Sequence, residues 1–223
     1  MYDAVIFDND GVLLQLTGMP PHYEGARDAF AAVGVDDPAE EDVEAMSLGV
    51  TIPDLKRVCE RYDLDPETFW RARDRELARL QQAEMRAGRK EPYDDIEHLS
   101  ALDRPLGVVS SNQDATVEFA FEYFDLDRHF ETVYGRPPTV ESLRRKKPEP
   151  YYIEQALSDL GTRDALYVGD SETDIQAAHA AGIDAAFVRR SHRADTVLSS
   201  TPDYEVDSLE GIVELLATGS ASD

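Results

Sequence analysis

Ala4-Val5-Ile6-Phe7-Asp8-Asn9-Asp10-Gly11-Val12-Leu13 is the stretch that decides the fold of this chain. Val5-Ile6-Phe7 reads as a short buried strand. It stops in two aspartates separated by one residue, followed by a glycine. Packing gives an apolar strand no reason to end in paired carboxylates. Residues two apart on a strand point the same way, so Asp8 and Asp10 are expected side by side at its carboxyl end. Like charges placed there repel, and a divalent cation is the usual compensation. The alternative is an acidic turn closed by Gly11.

Outward from this stretch, four more apolar runs read as strands: Leu106–Val109, Thr132–Tyr134, Ala165–Val168 and Ala185–Val188. Helical patterns lie near 113–124, 150–160, 172–181 and 208–217. Strands alternating with helices imply an α/β fold with a doubly wound parallel sheet, and ligands in such sheets bind beyond the carboxyl ends of the strands. Residues 15–89 break the rhythm, with helical patterns near 22–33, 39–47, 52–62 and 66–87 and no convincing strand. The last of these opens at Asp65-Pro66-Glu67, a cap residue, a first-turn proline and an early acid. The expected organisation is a sheet domain of residues 1–14 and 90–223, with an all-helical domain of residues 15–89 inserted into it. The crossings fall near Leu14–Gly18 and Gly88–Pro92, where glycine and proline suit hinging. The tail from Thr218 to Asp223 is expected to be disordered.

The chain has 223 residues, 42% of them hydrophobic, enough for one large domain or a core with a smaller companion. No segment approaches the ~20 apolar residues of a membrane span, and no basic, then apolar, leader opens the chain. The single cysteine, Cys59, shares a helical apolar pattern with Leu55, Val58 and Tyr62 and reads as a buried, inert thiol. These features fit a cytoplasmic location. The net charge of -24 repels nucleic acid and anionic membrane surfaces. Only Lys56, Lys90, Lys146 and Lys147 are lysines. An acid-rich, lysine-poor chain resembles halophilic proteins of salty cytoplasm; the alternative is an ordinary acidic cytosolic protein.

Three further motifs follow strands. Ser110-Ser111-Asn112 places small hydroxyls ahead of a helix, which suits an anion site or a simple N-cap. Lys146-Lys147-Pro148-Glu149-Pro150 is expected to start a helix, its prolines stiffening the mount of Lys147; the alternative is a surface basic cluster with Arg144 and Arg145. In Gly169-Asp170-Ser171-Glu172-Thr173-Asp174, the two aspartates lie about one helical turn apart and can face one point, as hard cations require.

Together and in this order, the four motifs resemble those of the haloacid dehalogenase superfamily, whose members are mostly phosphatases. The resemblance covers the whole sheet domain, and it implies a Rossmann-like core with a helical cap inserted after the first motif. It implies that Asp8 is a nucleophile forming an aspartyl-phosphate. Mg2+ would be held by Asp8, the backbone carbonyl of Asp10 and Asp170, with Asp174 holding a water or orienting Asp170. Asp10 would serve as general acid and base. Ser110, or its neighbour Ser111, would bind a phosphoryl oxygen beside Asn112. Lys147, with Lys146 as fallback, would pair with Asp8 and the phosphate. Gly11 would let backbone amides near Asn9 approach the phosphate. The dehalogenases lack an aspartate at the Asp10 position, and so do phosphonate-cleaving relatives. The implied function is therefore Mg2+-dependent hydrolysis of a small phosphate monoester, such as phosphoglycolate, a sugar phosphate or a nucleotide monophosphate. A sugar phosphomutase or a phospho-aspartate switch protein are the alternatives. The expected partner is a small phosphorylated metabolite, not nucleic acid or membrane, with the chain a monomer or homodimer. In the insert, Arg71, Arg75 and Arg79 recur every four residues, as a substrate contact or as a solvated face paired with Glu67, Asp74 and Glu76. His22 is read as structural or as a loop group near the site, and Trp70 as cap core.

Overall fold

A computed structural model describes residues 2–218. Six strands form one all-parallel sheet: β1 (Ala4–Phe7), β2 (Leu106–Gln113), β3 (Thr132–Arg136), β4 (Ala165–Gly169), β5 (Asp184–Val188) and β6 (Tyr204–Val206). Their order is β3-β2-β1-β4-β5-β6, which puts β1 in the middle. Helices α5 (Asp114–Tyr123), α6 (Val140–Arg145), α7 (Tyr151–Leu160) and α8 (Glu172–Ala181) connect the strands from β2 to β5, and α9 (Leu209–Thr218) follows β6. Alternation sorts β1 onto two cores. Val5 and Phe7 join Val108, Leu166 and Val168 on one face, with α5 and α9. Ala4 and Ile6 join Tyr167, Ala165 and Phe187 on the other, with α7 and α8. All four β1 residues are fully buried, as a strand covered on both faces must be.

Phe7 pairs with Val108 of β2 and with Val168 of β4. The carboxyl ends of these three strands are therefore level, and Asp8, Ser110 and Asp170 emerge at one edge, where the strand order reverses at β1.

Three elements depart from expectation. β6 has three residues, Tyr-Glu-Val, and is too short and polar to register as an apolar run. α6 has six residues, below the length at which periodicity is readable. The helix expected to start at Lys146–Pro150 begins only at Tyr151, so Lys147 sits in the preceding loop. Thr218 closes α9, and residues 219–223 of the expected disordered tail lie outside the described residues.

Between β1 and β2 stand four helices: α1 (Met19–Ala32), α2 (Glu40–Ser47), α3 (Ile52–Tyr62) and α4 (Pro66–Arg86). Thr51 caps α3, and Asp65 accepts the Thr68 N–H at 2.8 Å to cap α4. Phe30, Met46, Leu55, Val58, Phe69 and Trp70 make a separate apolar cluster, and α6 sends Leu143 into it. Cys59 is buried there, and burial pushes its thiol up to about 11. Arg71, Arg75 and Arg79 are exposed, and Arg75 and Arg79 pair with Glu76. Asp74 is not on that solvated face. It is buried and takes Arg136 of β3 at 2.7 Å and Arg73 at 3.1 Å.

Candidate active site

Asp8 leaves β1 on the same face as Ala4 and Ile6, the face that holds Tyr167. Lys147 reaches it from the loop before α7, with Nζ 2.8 Å from Asp8 Oδ1 and 2.6 Å from Asp174 Oδ1. The same ammonium donates to the Val109 carbonyl at 3.1 Å and to the Tyr167 hydroxyl at 2.8 Å. Burial pulls the Lys147 pKa down, but Asp174 and Asp8 outweigh burial and raise the pKa well above the usual lysine range. Asp8 is pushed the other way. Burial raises its carboxyl, and the charges of Asp174 and Asp170 add to this against the opposing pull of Lys147.

Asp174 serves two structures at once. Its Oδ2 accepts from the N–H of Ser171 at 3.0 Å and the Ser171 hydroxyl at 2.6 Å, a capping box that starts α8. Its Oδ1 meets Lys147. Asp170 Oδ2 takes His192 Nε2 at 2.6 Å and Arg193 Nε at 2.9 Å, both from the segment after β5. Gly11 lies against this carboxylate with φ +88°, and a Cβ there would collide with Asp170 Oδ2. The requirement for glycine thus comes from backbone conformation and from Asp170, not only from approach to a ligand.

The Asp8 and Asp10 carboxylates take different partners. The chain leaves the strand after Phe7 and folds into a turn whose Asn9 carbonyl accepts from the N–H groups of Leu13 and Leu14, each at 2.9 Å. Asp10 enters a different network. Its Oδ1 is ion-paired with Lys90, and its Oδ2 accepts from Asn112 Nδ2 at 2.9 Å and Asn9 Nδ2 at 3.3 Å. Lys90 has no exposed surface. Burial opposes the charge on Asp10, but Lys90 with Asn112 and Asn9 prevails and holds the carboxyl below its ordinary value. Ser110 is buried in β2 just past Val109, where the regular pairing with β3 stops, and its Oγ accepts the Asn112 N–H at 3.1 Å. A register irregularity between Val109 and Gln113 turns this segment toward Asp10. Ser111 follows, half-buried.

Residues 5–188 match the family described as haloacid dehalogenase-like hydrolase. The chain belongs to this family. Among curated relatives, it is 28% identical over 132 residues to pyrophosphatase PpaX of Oceanobacillus iheyensis, covering 58% of this chain and 60% of that protein. It is 27% identical over 128 residues to pyrophosphatase PpaX of Bacillus cereus, with 56% and 57% covered. The match thus spans less than two thirds of either relative. Among solved structures, CbbY of Rhodobacter sphaeroides in complex with phosphate superposes with a TM-score of 0.68 at 22% identity, over 94% of this chain and 95% of that one. A protein described as a predicted phosphoglycolate phosphatase from Haemophilus somnus superposes with a TM-score of 0.66 at 22% identity, over 96% and 98%. These superpositions show that the fold is that of the haloacid dehalogenase-like hydrolases.

In this member of the family, one ligand oxygen each of Asp8, Asp170 and Asp174 lies within 4.8 Å of the others, all three residues buried. The donor set fits a hard divalent cation. Burial first, then the charges of Asp174 and Asp170, raise the Asp8 carboxyl against the pull of Lys147, an imbalance that a cation at this trio would relieve. The Asp10 carboxylate lies outside this trio, so any share it takes in metal binding falls to its backbone carbonyl.

Sequence reading missed Lys90, Gln81, His192 and Arg193. Lys90 carried one signal. It is one of four lysines and stands where the chain re-enters the sheet domain after Gly88. The others carry none, because Gln81 meets Asn112 across 31 residues and His192 and Arg193 meet Asp170 across 22 and 23, which leaves no local pattern.

Proposed function

We propose that the chain is a Mg2+-dependent phosphatase of small phosphate monoesters that works through an aspartyl-phosphate on Asp8. The observation that carries this reading is the pairing of Asp8 with Lys147 at 2.8 Å inside the buried Asp8–Asp170–Asp174 trio. Asp8 and Asp170 would hold the Mg2+ together with the Asp10 carbonyl, while Asp174, occupied by Ser171 and Lys147, orients the site. The bound ion would offset the repulsion between carboxylate and phosphate dianion. Lys147 holds the Asp8 carboxylate in a fixed orientation toward the incoming phosphorus and shares its charge with the phosphoryl oxygens. Ser110 contributes its hydroxyl to a phosphoryl oxygen. Asp10 delivers a proton to the leaving oxygen, then takes one from the water that hydrolyses the phosphoenzyme. Lys90 and Asn112 fix its carboxyl on the substrate side.

Residues 15–89 act as the cap over a core of residues 1–14 and 90–223. Supporting this, α1–α4 have their own apolar cluster yet place Gln81 within 3.1 Å of Asn112 and Gln113 of β2. Among the described residues no helix is long and apolar enough to cross a membrane. The charge of -24 supports a chain working in a salty cytoplasm without nucleic-acid partners. The test is a panel of phosphorylated metabolites with phosphoglycolate, sugar phosphates, nucleotide monophosphates and pyrophosphate, assayed in molar KCl with and without Mg2+. Mg2+-dependent release of phosphate from a small monoester is expected. Release independent of divalent metal, or from none of the panel, would reject the reading.

A further inference from the structure

We propose that Gln81, carried on the inserted helix α4, is a positioning residue for Asp10. The inference rests on the acid–base reading of Asp10 given above. Gln81 is 2% exposed, and its amide sits at the centre of the Asp10 network. Its Oε1 accepts from Lys90 Nζ at 3.0 Å, from Asn112 Nδ2 at 2.9 Å and from Thr17 Oγ1 at 3.1 Å. Its Nε2 donates to Asn112 Oδ1 at 3.0 Å and to Gln113 Oε1 at 3.1 Å. Lys90 and Asn112 are the two side chains that grip the two Asp10 oxygens from outside the first turn, and Gln81 holds both.

The amide can face only one way. Reversed, it would turn its NH2 against the Lys90 ammonium and its carbonyl against two carbonyl oxygens. Gln81 is therefore an oriented acceptor for a buried cation, not an adaptable contact. Its partners come from separate parts of the chain: Thr17 precedes α1, Lys90 follows α4, and Asn112 and Gln113 end β2. A side chain of the insert thus sets where Lys90 and Asn112 stand, and through them where the Asp10 carboxyl points. Without Gln81, the buried ammonium keeps Asp10 as its remaining side-chain partner and draws fully onto it, and the Asn112 amide is left with one bond at each end, to Asp10 at 2.9 Å and from the Gln113 N–H at 2.9 Å.

The experiment compares Gln81→Met, which keeps length and removes every polar atom, with Gln81→Glu, which keeps an acceptor for Lys90, Asn112 and Thr17. Each is assayed on p-nitrophenyl phosphate, whose leaving group departs without a proton, and on glycerol phosphate, whose alkoxide needs one. Gln81→Met should lower kcat on glycerol phosphate at least ~10-fold more than on p-nitrophenyl phosphate, with KM little changed, and Gln81→Glu should recover part of the loss. If Gln81→Met does not fold, Gln81→Asn, which withdraws the amide by one methylene, replaces it. Equal losses on both substrates, or a loss confined to KM or to thermal stability, would overturn the proposal. Asp10→Asn run alongside separates the two readings. If it shows no dependence on leaving group, the acid–base role of Asp10 fails and this inference with it. If it does show that dependence while the Gln81 variants do not, only the role of Gln81 fails.

Discussion

Removing the Asp74 carboxylate should cost far more than removing its partner Arg136. Asp74 joins α4 of the insert to β3 of the sheet, with Arg136 at 2.7 Å and Arg73 at 3.1 Å on the same oxygen. Both guanidinium groups lie against Trp70, 4.8 and 4.6 Å from its ring centroid. All three charged residues are at most 5% exposed. Asp74→Leu strands two buried guanidiniums at once. Their remaining acceptors are neutral: the Met46 and Ser47 carbonyls for Arg73, and the Pro137 carbonyl and Ser142 hydroxyl for Arg136. Breaking a buried pair from one side costs about 3–5 kcal/mol. Arg136→Leu leaves Asp74 still neutralised by Arg73, so its cost should be nearer the about 1–3 kcal/mol of a lost buried hydrogen bond. At ~2–4 °C per kcal/mol for a chain of this size, Asp74→Leu should lower the melting temperature by about 6–20 °C. Trp70 is the only tryptophan, so its fluorescence during denaturant unfolding in molar KCl reports directly on the pair. The double variant Asp74→Leu/Arg136→Leu should recover part of the single loss. An Asp74→Leu cost below ~1 kcal/mol, or the reverse order of the two variants, would refute the reasoning.

Three further outcomes are expected. Gly11→Ala should cost about 1–3 kcal/mol through its positive φ and should also weaken Mg2+ binding, measured by calorimetry, because the new Cβ displaces Asp170. His22 is held neutral: burial, then the charges of Arg73 and Lys90, push its pKa down from 6.5 to about 4. Between those values the unfolded chain binds a proton that the fold refuses, so acidification should remove up to about 3 kcal/mol of stability. In His22→Gln the fall over that window should be shallower, with no difference above it; parallel curves would contradict the shift. The -24 net charge should make the unfolding midpoint rise steeply with KCl, and a midpoint indifferent to salt would remove the halophilic reading.

The sheet was legible because its central strands are short apolar runs buried on both faces, and each ended in a polar signature. Ala4–Phe7 followed by Asp8, and Ala165–Val168 followed by Gly169-Asp170, needed no partner to be recognised. β6 and α6 were not legible because three or six mixed residues carry no period. The structure brings together Asp8, Asp170 and Asp174, singled out by their placement after strands, and Lys147, singled out by its flanking prolines. Strand alternation could not name the partners of Asp10, since the backbone turns after Phe7 and Lys90 and Asn112 reach its carboxyl from distant parts of the chain. Asp74 was misjudged for a related reason. On a helix surrounded by arginines and glutamates its spacing suits a solvated face, and only the approach of β3 through Arg136 buries it.

The most direct test of the mechanism is the fate of Asp8 during turnover. Wild-type protein and Asp8→Asn are given p-nitrophenyl phosphate with Mg2+ in molar KCl, quenched in acid and mapped by peptide mass. Repeated turnover by the wild type, a phosphoryl group on the peptide carrying Asp8 and loss of both in Asp8→Asn are the predicted results. Turnover that survives Asp8→Asn would contradict the mechanism, and so would a single phosphorylation of Asp8 that is never released.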